Sequence, residues 1–298
     1  MTLITPMVIS QKEIQFKDFP EFFGFIREKK FVCTFSARKG GTFVSPKGIQ
    51  YQIFPDAFVD TRGTPVDEMV RLEITEAINK KDLFLQDRPT LLDGQLMDQS
   101  LFLSFQLKGN TQVGLKLTKP IHCTWSFKAK QKLQNLYLLE ETKAQTRLVH
   151  QKESYEWSPS NDQLFLQKNG SSSRTLNFYA EKLGSYAIGR TLPRKVTQKP
   201  AMLSLKLSEQ FSDLKNYRVF LIYHSFNTIA KLVKDRNRLV AFNLIKESPA
   251  TLLVLGLKDQ QIFFYKKYLP QISNQLLRID LIPTNFHDLN KTLNRINY

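Results

Sequence analysis

Residues 39–58 (KGGTFVSPKGIQYQIFPDAF) contain two short strand patterns, each preceded by a turn. A Gly-Gly pair turns the chain before the first strand, and a Ser-Pro-Lys-Gly turn precedes the second. Pro55 ends the second strand, because proline cannot donate a hydrogen bond to a β-ladder. Ala57 is small enough to lie where the backbone turns across a sheet edge. The stretch therefore indicates the first strands and the corner of a β-sandwich.

Strand patterns continue on both sides of this stretch. Residues 31–36 alternate Phe-Val-Cys-Thr-Phe-Ser, and residues 71–76 alternate polar and apolar side chains. Residues 101–107 and 114–117 follow after a polar Asp-Gly turn at 93–94. Turn signals every eight to twelve residues are typical of an antiparallel sandwich.

Helical spacing is confined to the two ends of the chain. Between Gln11 and Lys30, apolar residues recur every three or four positions, which predicts a short amphipathic helix or turn packed on the next domain. In residues 285–296 the same spacing predicts a C-terminal helix capped by Thr284 or Asn285.

Residues 31–127 resemble part of known β-sandwich proteins. Gly40-Gly41-Thr42, the Pro55-Asp56-Ala57 corner and the element at 58–66 (FVDTRGTPV) are similar to the opening of ZU5-like β-sandwiches, and more closely to uncharacterised proteins common in Bacteroidota. This chain departs from that pattern at Phe54, where the family has isoleucine, and after Leu96, where many relatives have a glycine pair. The resemblance implies a ZU5-like sandwich in a bacterial envelope or lipoprotein-type protein.

The second half resembles the same proteins at residues 183–186 (LGSY) and 218–229. Residues 250–258 and 262–265 indicate a hairpin, although the turn between them lacks the family's glycine, which weakens the prediction of a tight turn. We therefore predict a mainly β protein with two antiparallel sandwich-like domains. The predicted divisions are an N-terminal extension at 1–30, a ZU5-like sandwich at 31–130, a connecting β-rich region at 131–200, and a C-terminal β domain ending in a helix at 201–298.

The charge is strongly positive and uneven. The formal net charge is +16, of which residues 1–150 carry +5 and residues 151–298 carry +11. Such a field attracts nucleic acid, acidic proteins or anionic surfaces, whereas lysines and arginines scattered over solvated strand faces would bind nothing in particular. The candidate residues for binding an anionic partner are Arg190, Arg194, Lys195, Lys231, Lys234, Arg236, Arg238, Lys266 and Lys267.

Sequence motifs of catalysis are absent from the chain. The four histidines lie far apart, and no HExxH, GxSxG, GxGxxG or phosphate-binding loop occurs. Corner and turn acids such as Asp56, Asp60, Asp67 and Glu68 could surround a cation, but acids at these positions usually cap backbone amides. We predict neither a catalytic residue nor a metal or other cofactor.

Two cysteines, Cys33 and Cys123, lie in apolar or aromatic runs. This context favours buried, inert thiols; the alternative is a disulfide between adjacent strands, which needs an oxidising compartment. Residues 223–226 (YHSF) are similar in composition to the His-Phe-Ser site at which some ZU5 proteins cleave themselves, but the order His-Ser-Phe favours a simple turn at the end of a strand.

No run of about 18 apolar residues predicts a membrane-spanning helix. Residues 1–10 are apolar but have neither a basic start nor a small-residue cleavage site, so no export signal is expected, and the envelope and the cytoplasm both stay open. The leading functional hypothesis is a non-catalytic protein-interaction or structural subunit of an envelope assembly. The alternatives are a binder of an anionic polymer or surface, and a self-cleaving protein.

Overall fold

A computed structural model describes residues 14–87, 90–92, 95–108, 114–128, 136–143, 155–160, 164–169, 173–192, 200–211, 214, 216–235, 238–246 and 248–296. The described chain is mainly β, as predicted, with a short helix near each end. The helices are α1 (Phe19–Ile26), α2 (Lys80–Leu85) and α3 (Phe286–Asn294).

The first half of the chain contributes strands up to Thr191. They are β1 (Phe31–Ser36), β2 (Gly41–Val44), β3 (Ile49–Ile53), β4 (Phe58–Val59), β5 (Met69–Ala77), β6 (Leu91–Leu92), β7 (Gln95–Leu107), β8 (Lys116–Leu117), β9 (Ile121–Lys128), β10 (Tyr137–Lys143), β11 (Tyr155–Pro159), β12 (Leu164–Asn169), β13 (Ser173–Ala180) and β14 (Gly184–Thr191). The second half contributes β15 (Ala201–Leu207), β16 (Tyr217–Tyr223), β17 (Ile229–Lys231), β18 (Val233–Asp235), β19 (Arg238–Leu244), β20 (Ala250–Lys258), β21 (Gln261–Leu269), β22 (Gln275–Ile279) and β23 (Ile282–Thr284).

The strands form four large sheets, which we number by their order in the stack. Sheet I has the order β12-β13-β9-β3-β2, and sheet II the order β1-β5-β7-β14-β10-β11 with β6 beside β7. Sheet III has the order β17-β16-β20-β21-β23, and sheet IV the order β18-β19-β15-β22. The short strands β4 and β8 pair separately. Neighbouring strands of the four sheets are antiparallel except β15 and β22, which are parallel.

Three apolar cores hold the sheets together in the order I, II, III, IV. Alternation along β7 shows how: Leu103 and Phe105 face the core shared with sheet I, whereas Phe102 faces the core shared with sheet III. In β20, Leu253 faces that same middle core and Leu252 faces the core shared with sheet IV. Because side chains alternate with a period of two, sheets II and III each contribute side chains from both faces and so line two cores. The two sandwiches therefore share a middle core.

The segment 131–200 was predicted to be β-rich, and its described strands complete the first sandwich. Strands β10, β11 and β14 extend sheet II, while β12 and β13 extend sheet I. Sheet I therefore joins residues 41–53 to residues 164–180 through β9. The first sandwich spans residues 31–191 instead of ending near residue 130.

Both predicted terminal helices are confirmed. The Asp18 side chain caps α1 by accepting from the Glu21 N–H, and Pro20 lies in the first turn, where its missing N–H costs nothing. The Asn285 side chain caps α3 by accepting from the Asp288 N–H. Both helices place apolar side chains in the middle core, as described next.

Aromatic rings dominate the part of the middle core beneath α1. Phe23 contacts Phe84 of α2 and Phe220 of sheet III, with ring centroids 5.7 and 6.3 Å apart. Phe84 and Phe220 meet edge to face at 4.7 Å. These three rings join α1, the first sandwich and the second sandwich, and edge-to-face pairs of this kind add stability beyond their buried area.

The glycine turn and the corner that the sequence predicted are both present. Gly40 has a φ of +62°, and a Cβ atom there would lie 2.2 Å from the Ile53 carbonyl oxygen. Asp56 also has a positive φ, and Ala57 is fully buried beside it. The Asp-Gly turn predicted at 93–94 lies outside the described residues, although Leu92 and Gln95 pair across it.

The predicted hairpin of β20 and β21 is confirmed and has a tight turn without glycine. Lys258 pairs with Gln261, so only Asp259 and Gln260 form the loop. Their φ angles are 51° and 63°. Two left-handed residues in a two-residue loop form the turn type that matches the twist of antiparallel strands. The absence of glycine made this turn hard to predict.

Candidate interaction surface on sheet IV

Sheet IV has one face in the core shared with sheet III and one outer face. Leu203 and Leu205 of β15 and Leu239 of β19 belong to the core. The residues between them on the same strands therefore lie on the outer face. The outer face of sheet IV carries the alternate residues Met202, Ser204 and Lys206 of β15, Arg238, Val240 and Phe242 of β19, and Leu276 and Arg278 of β22.

Two cations lie side by side on this face. Lys206 and Arg278 are register partners in the parallel pair of β15 and β22, and both side chains are exposed. Neither forms an ion pair within the described part of the chain. Like charges directly opposite each other on neighbouring strands are destabilising, so this arrangement is relieved by an anionic group placed between them.

Three apolar side chains occupy the other end of the outer face. Phe242 is 55% exposed, Leu276 45% and Met202 41%. A β-bulge lies here, because the register between β15 and β19 shifts between Ala201 and Leu203, and Asn243 has a left-handed φ of 58°. Phe242 lies on the outer face by alternation from the core residue Ala241, and the bulge at Asn243 returns Leu244 to the core. Grouped exposed apolar residues with polar residues beside them are typical of protein interaction sites.

The basic residues named from the sequence do not lie on one surface. Arg238 belongs to the outer face of sheet IV, but Lys234 pairs with Leu239 and therefore lies on the opposite side of the edge strand. Lys266 and Lys267 follow each other on β21, so they point to opposite faces of sheet III. Arg194, Lys195 and Arg236 lie outside the described residues.

Two of the named cations are already paired with carboxylates. Arg190 of β14 lies 3.2 Å from Asp98 Oδ2, and Lys231 of β17 lies 2.9 Å from Asp87 Oδ1. Asp87 also accepts a hydrogen bond from Arg218 Nε at 2.8 Å. Lys231 and Arg218 thus help to join the second sandwich to the first.

The corner acids behave as caps and surface partners. Asp60 Oδ1 accepts from the backbone N–H groups of Arg62 and Thr64, and these hydrogen bonds lower the pKa of the Asp60 carboxyl. Asp67 pairs with Arg38. Within the described residues, no group of three or more His, Cys, Asp or Glu side chains could hold a metal ion.

The His-Ser-Phe segment follows the end of β16, where the chain turns as the simpler interpretation predicts. His224 Nε2 lies 2.9 Å from Thr251 Oγ1 on the neighbouring strand, and the His224 carbonyl accepts from Lys80. Burial and the charges of Lys80 and Lys266 lower the pKa of His224. Self-cleavage at Ser225 stays a prediction, which the intact mass of the purified chain would test.

A partly buried ionisable cluster lies at the end of the first sandwich near α2. Lys47 Nζ is 2.5 Å from Asp82 Oδ2 and 3.0 Å from a Glu28 carboxylate oxygen. Tyr51 donates to Glu76 Oε1 at 2.6 Å. Burial raises the pKa of Glu76, against the opposing effect of the Tyr51 hydrogen bond. These contacts satisfy the polar groups of the cluster and fix α2 to the β2–β3 hairpin.

The two cysteines are free and buried, as the preferred interpretation held. Cys33 lies in sheet II and Cys123 in sheet I, so they belong to facing sheets and not to adjacent strands. Burial raises the pKa of the Cys33 thiol to about 12 and that of Cys123 well above its usual range. Both groups are therefore held as unreactive thiols in the folded chain.

Sequence reasoning missed most of the outer face of sheet IV. The sequence contains a local signal for part of this face. In residues 201–207 (AMLSLKL), Met202 and Lys206 alternate with the leucines, so they are expected on the face opposite the core. Nothing local indicates that β22 would pair in parallel beside β15 and bring Arg278 next to Lys206. The charge pair is a product of the topology.

None of the helices in the described part of the chain has the length and apolar character needed to cross a membrane. Comparisons with known proteins place no relative beside this chain: no protein family, no curated protein and no solved structure matches it.

Proposed function

We propose that this chain is a non-catalytic protein-interaction module that binds an acidic partner protein on the outer face of sheet IV. The observation behind the proposal is the register pair of Lys206 and Arg278 beside the exposed Met202, Phe242 and Leu276. The proposed setting is a bacterial envelope or surface assembly, which is supported by the resemblance of residues 31–127.

The composition of the face favours a protein as the partner. Protein interfaces combine apolar and aromatic anchors with arginine, surrounded by a polar rim, and the outer face of sheet IV offers exposed apolar side chains beside arginine and lysine. The face pairs Lys206 with Arg278, so the complementary surface needs a carboxylate at that point. It also needs an apolar group opposite Phe242.

The test is capture of the partner by the purified full-length chain from cells that produce it, with cross-linking and mass spectrometry. The charge-reversal variant K206E/R278E and the variant F242S/L276S should each lose the captured protein. The exposed apolar residues Val44 and Phe165 of sheet I offer a matched control, V44S/F165S, which should retain it.

The captured partner is then purified and titrated against the wild-type chain and both variants. The proposal requires an acidic surface on the partner, at least about tenfold weaker binding by K206E/R278E, and weakening by salt. Binding that neither sheet IV variant changes would refute it.

A second candidate, binding of an anionic polymer or surface, is favoured by the +11 charge of residues 151–298. Retention on heparin, DNA or anionic vesicles with a steep salt dependence would support it. Elution below about 0.1 M salt, where the Debye length is about 10 Å, would count against it. If K206E/R278E abolishes retention on heparin while F242S/L276S does not, the anionic polymer replaces the acidic protein as the ligand.

A further inference from the structure

The outer face of sheet I differs in chemistry from the rest of this basic protein. Ile121, Cys123 and Trp125 of β9 face the core, so alternate residues of the five strands face outward. At these outward positions, the only formally charged side chain within the described residues is Lys128, at the end of β9. The remaining described positions are amides, hydroxyls, a histidine and a few apolar or aromatic side chains.

One row across this face is built on a stacked ring pair. Tyr179, His122 and Gln52 are successive register partners on β13, β9 and β3. The Tyr179 and His122 rings stack with centroids 4.7 Å apart and 18° between their planes. His122 Nδ1 lies 3.3 Å from Gln52 Oε1, and Tyr179 is 36% exposed.

The next row carries amides and a hydroxyl. Asn177, Thr124 and Gln50 are register partners on the same three strands, and Thr124 donates to Asn177 Oδ1 at 2.9 Å. Gln50 is exposed, and Asn177 is half-buried. An amide group has one acceptor oxygen and two donor hydrogens, so each of these side chains keeps hydrogen-bonding capacity beyond its contact with a neighbour.

This combination matches a neutral sugar. An aromatic ring covers the C–H face of a sugar ring, while amides and hydroxyls both donate to and accept from sugar hydroxyl groups. A ligand without charge can be desolvated against this face at lower cost than against the lysines elsewhere. The strands fix the backbone positions of these residues, which lowers part of the entropy cost of binding.

We infer that the outer face of sheet I is a binding surface for neutral carbohydrate, with Tyr179 as the stacking residue and Gln52, Asn177 and Gln50 as hydrogen-bonding residues. The inference is independent of the partner proposed for sheet IV, because the two faces lie at opposite ends of the stack.

The experiment is affinity gel electrophoresis of the full chain in gels that contain a neutral polysaccharide: laminarin, hydroxyethylcellulose, xyloglucan or mannan. We expect retardation of the wild type in at least one gel. Y179A should weaken that binding at least about tenfold. Q52A/N177A should weaken it as well, and Y179W should retain it because the ring is kept.

A matched control exists in the second sandwich. Tyr268 is 55% exposed and contacts a histidine, His224, with centroids 5.3 Å apart, yet it belongs to sheet III. Y268A should bind like the wild type. Circular dichroism and thermal unfolding of every variant separate loss of the site from loss of the fold.

Several outcomes would overturn the inference. They are no retardation of the wild type in any neutral gel, equal retardation of Y179A and the wild type, or retardation confined to anionic polymers such as dextran sulfate. Binding to a neutral glycan should also be nearly unchanged between about 0.05 and 0.5 M salt, a range over which attraction between exposed charges is strongly screened.

Discussion

Asp87 and Arg218 join the two sandwiches through a hydrogen-bonded ion pair, with 2.8 Å between Asp87 Oδ2 and Arg218 Nε. Lys231 reaches the other carboxylate oxygen of Asp87 at 2.9 Å. Near this point the backbone N–H of Thr90 donates to the Ile229 carbonyl, and the N–H of Asn227 donates to Asp98 Oδ1. The two sandwiches are therefore joined by polar contacts as well as by the aromatic side chains of the middle core. Both kinds of contact form only when the two sandwiches pack in this arrangement.

We expect D87N to destabilise the protein by about 1–2 kcal/mol, because two partly buried cations lose their shared counter-charge. Asparagine tolerates the left-handed φ of 53° at this position, so the substitution isolates the charge. Urea unfolding measures the effect. The matched control is D67N, at the exposed pair with Arg38, which should cost less than about 0.5 kcal/mol. Equal losses in the two variants would contradict the role assigned to Asp87.

Glu76 should make stability fall as the pH rises. Its pKa is raised by burial, so the folded state holds the proton more tightly than the unfolded state, and stability is lost as the pH rises from the usual glutamate pKa through the folded value. In E76Q the glutamine side chain cannot ionise, but its amide oxygen can still accept the hydrogen bond from Tyr51. Its stability relative to the wild type should therefore increase from pH 4 to pH 8 in unfolding titrations.

Glu73, on the same strand, provides the opposite control. Hydrogen bonds from Lys108 and Lys30 lower the pKa of Glu73, so its contribution is present at neutral pH and is lost as the pH falls. E73Q should be less stable than the wild type at pH 7 and similar to it under acidic conditions. If E76Q and E73Q showed the same pH trend, the assignment of these two shifts would be wrong.

Gly40 should tolerate alanine much less well than Gly48. Both have left-handed φ angles, but nothing lies within 4 Å of a Cβ at Gly48, whereas a Cβ at Gly40 meets the Ile53 carbonyl oxygen at 2.2 Å. G48A should cost about 1–2 kcal/mol from conformation alone. G40A should cost at least about 2 kcal/mol more than G48A, because the backbone at Ile53 must move to make room for the new methyl group. Thermal unfolding of the two variants gives the comparison, and similar losses would show that contact with Ile53 is unimportant.

Q260G should stabilise the hairpin of β20 and β21. Glycine adopts the left-handed conformation of Gln260 without the penalty of a side chain, but it also gives the unfolded chain more freedom. The expected net gain in the free energy of unfolding is about 0.5–1 kcal/mol, measured by denaturant unfolding. The reverse result would mean that the Gln260 side chain contributes contacts that outweigh its backbone strain.

The features that local residues determine were predictable from the sequence. The alternation at residues 71–76 predicted a strand, and Asn285 was a predicted helix cap. The glycine pair predicted the turn before β2, and the Pro-Asp corner predicted the turn after β3. Each signal acts through neighbours in sequence, by side-chain period, by capping or by a restricted backbone angle.

The features that depend on pairing between distant residues were not predictable. The parallel register of β15 and β22 places Lys206 beside Arg278, although 72 positions of the sequence separate these two residues. The pairing of β10 to β14 with distant strands was not predictable either. The segments between these strands are polar, as in a linker, but the strands complete sheets I and II. Composition could indicate the positive charge, but not which cations share a face.

The shared middle core decides which sheets have an outer face. Among the described strands, sheets II and III each contribute side chains to two cores, whereas sheets I and IV each contribute to one core and have an outer face that lies against no other sheet. Within the described residues these two faces differ in charge: Lys128 is the one formally charged side chain at the outward positions of sheet I, whereas the outer face of sheet IV carries Lys206, Arg238 and Arg278. Under the two binding proposals made above, the chain would hold an acidic protein and a neutral glycan apart at a distance set by the thickness of four stacked sheets.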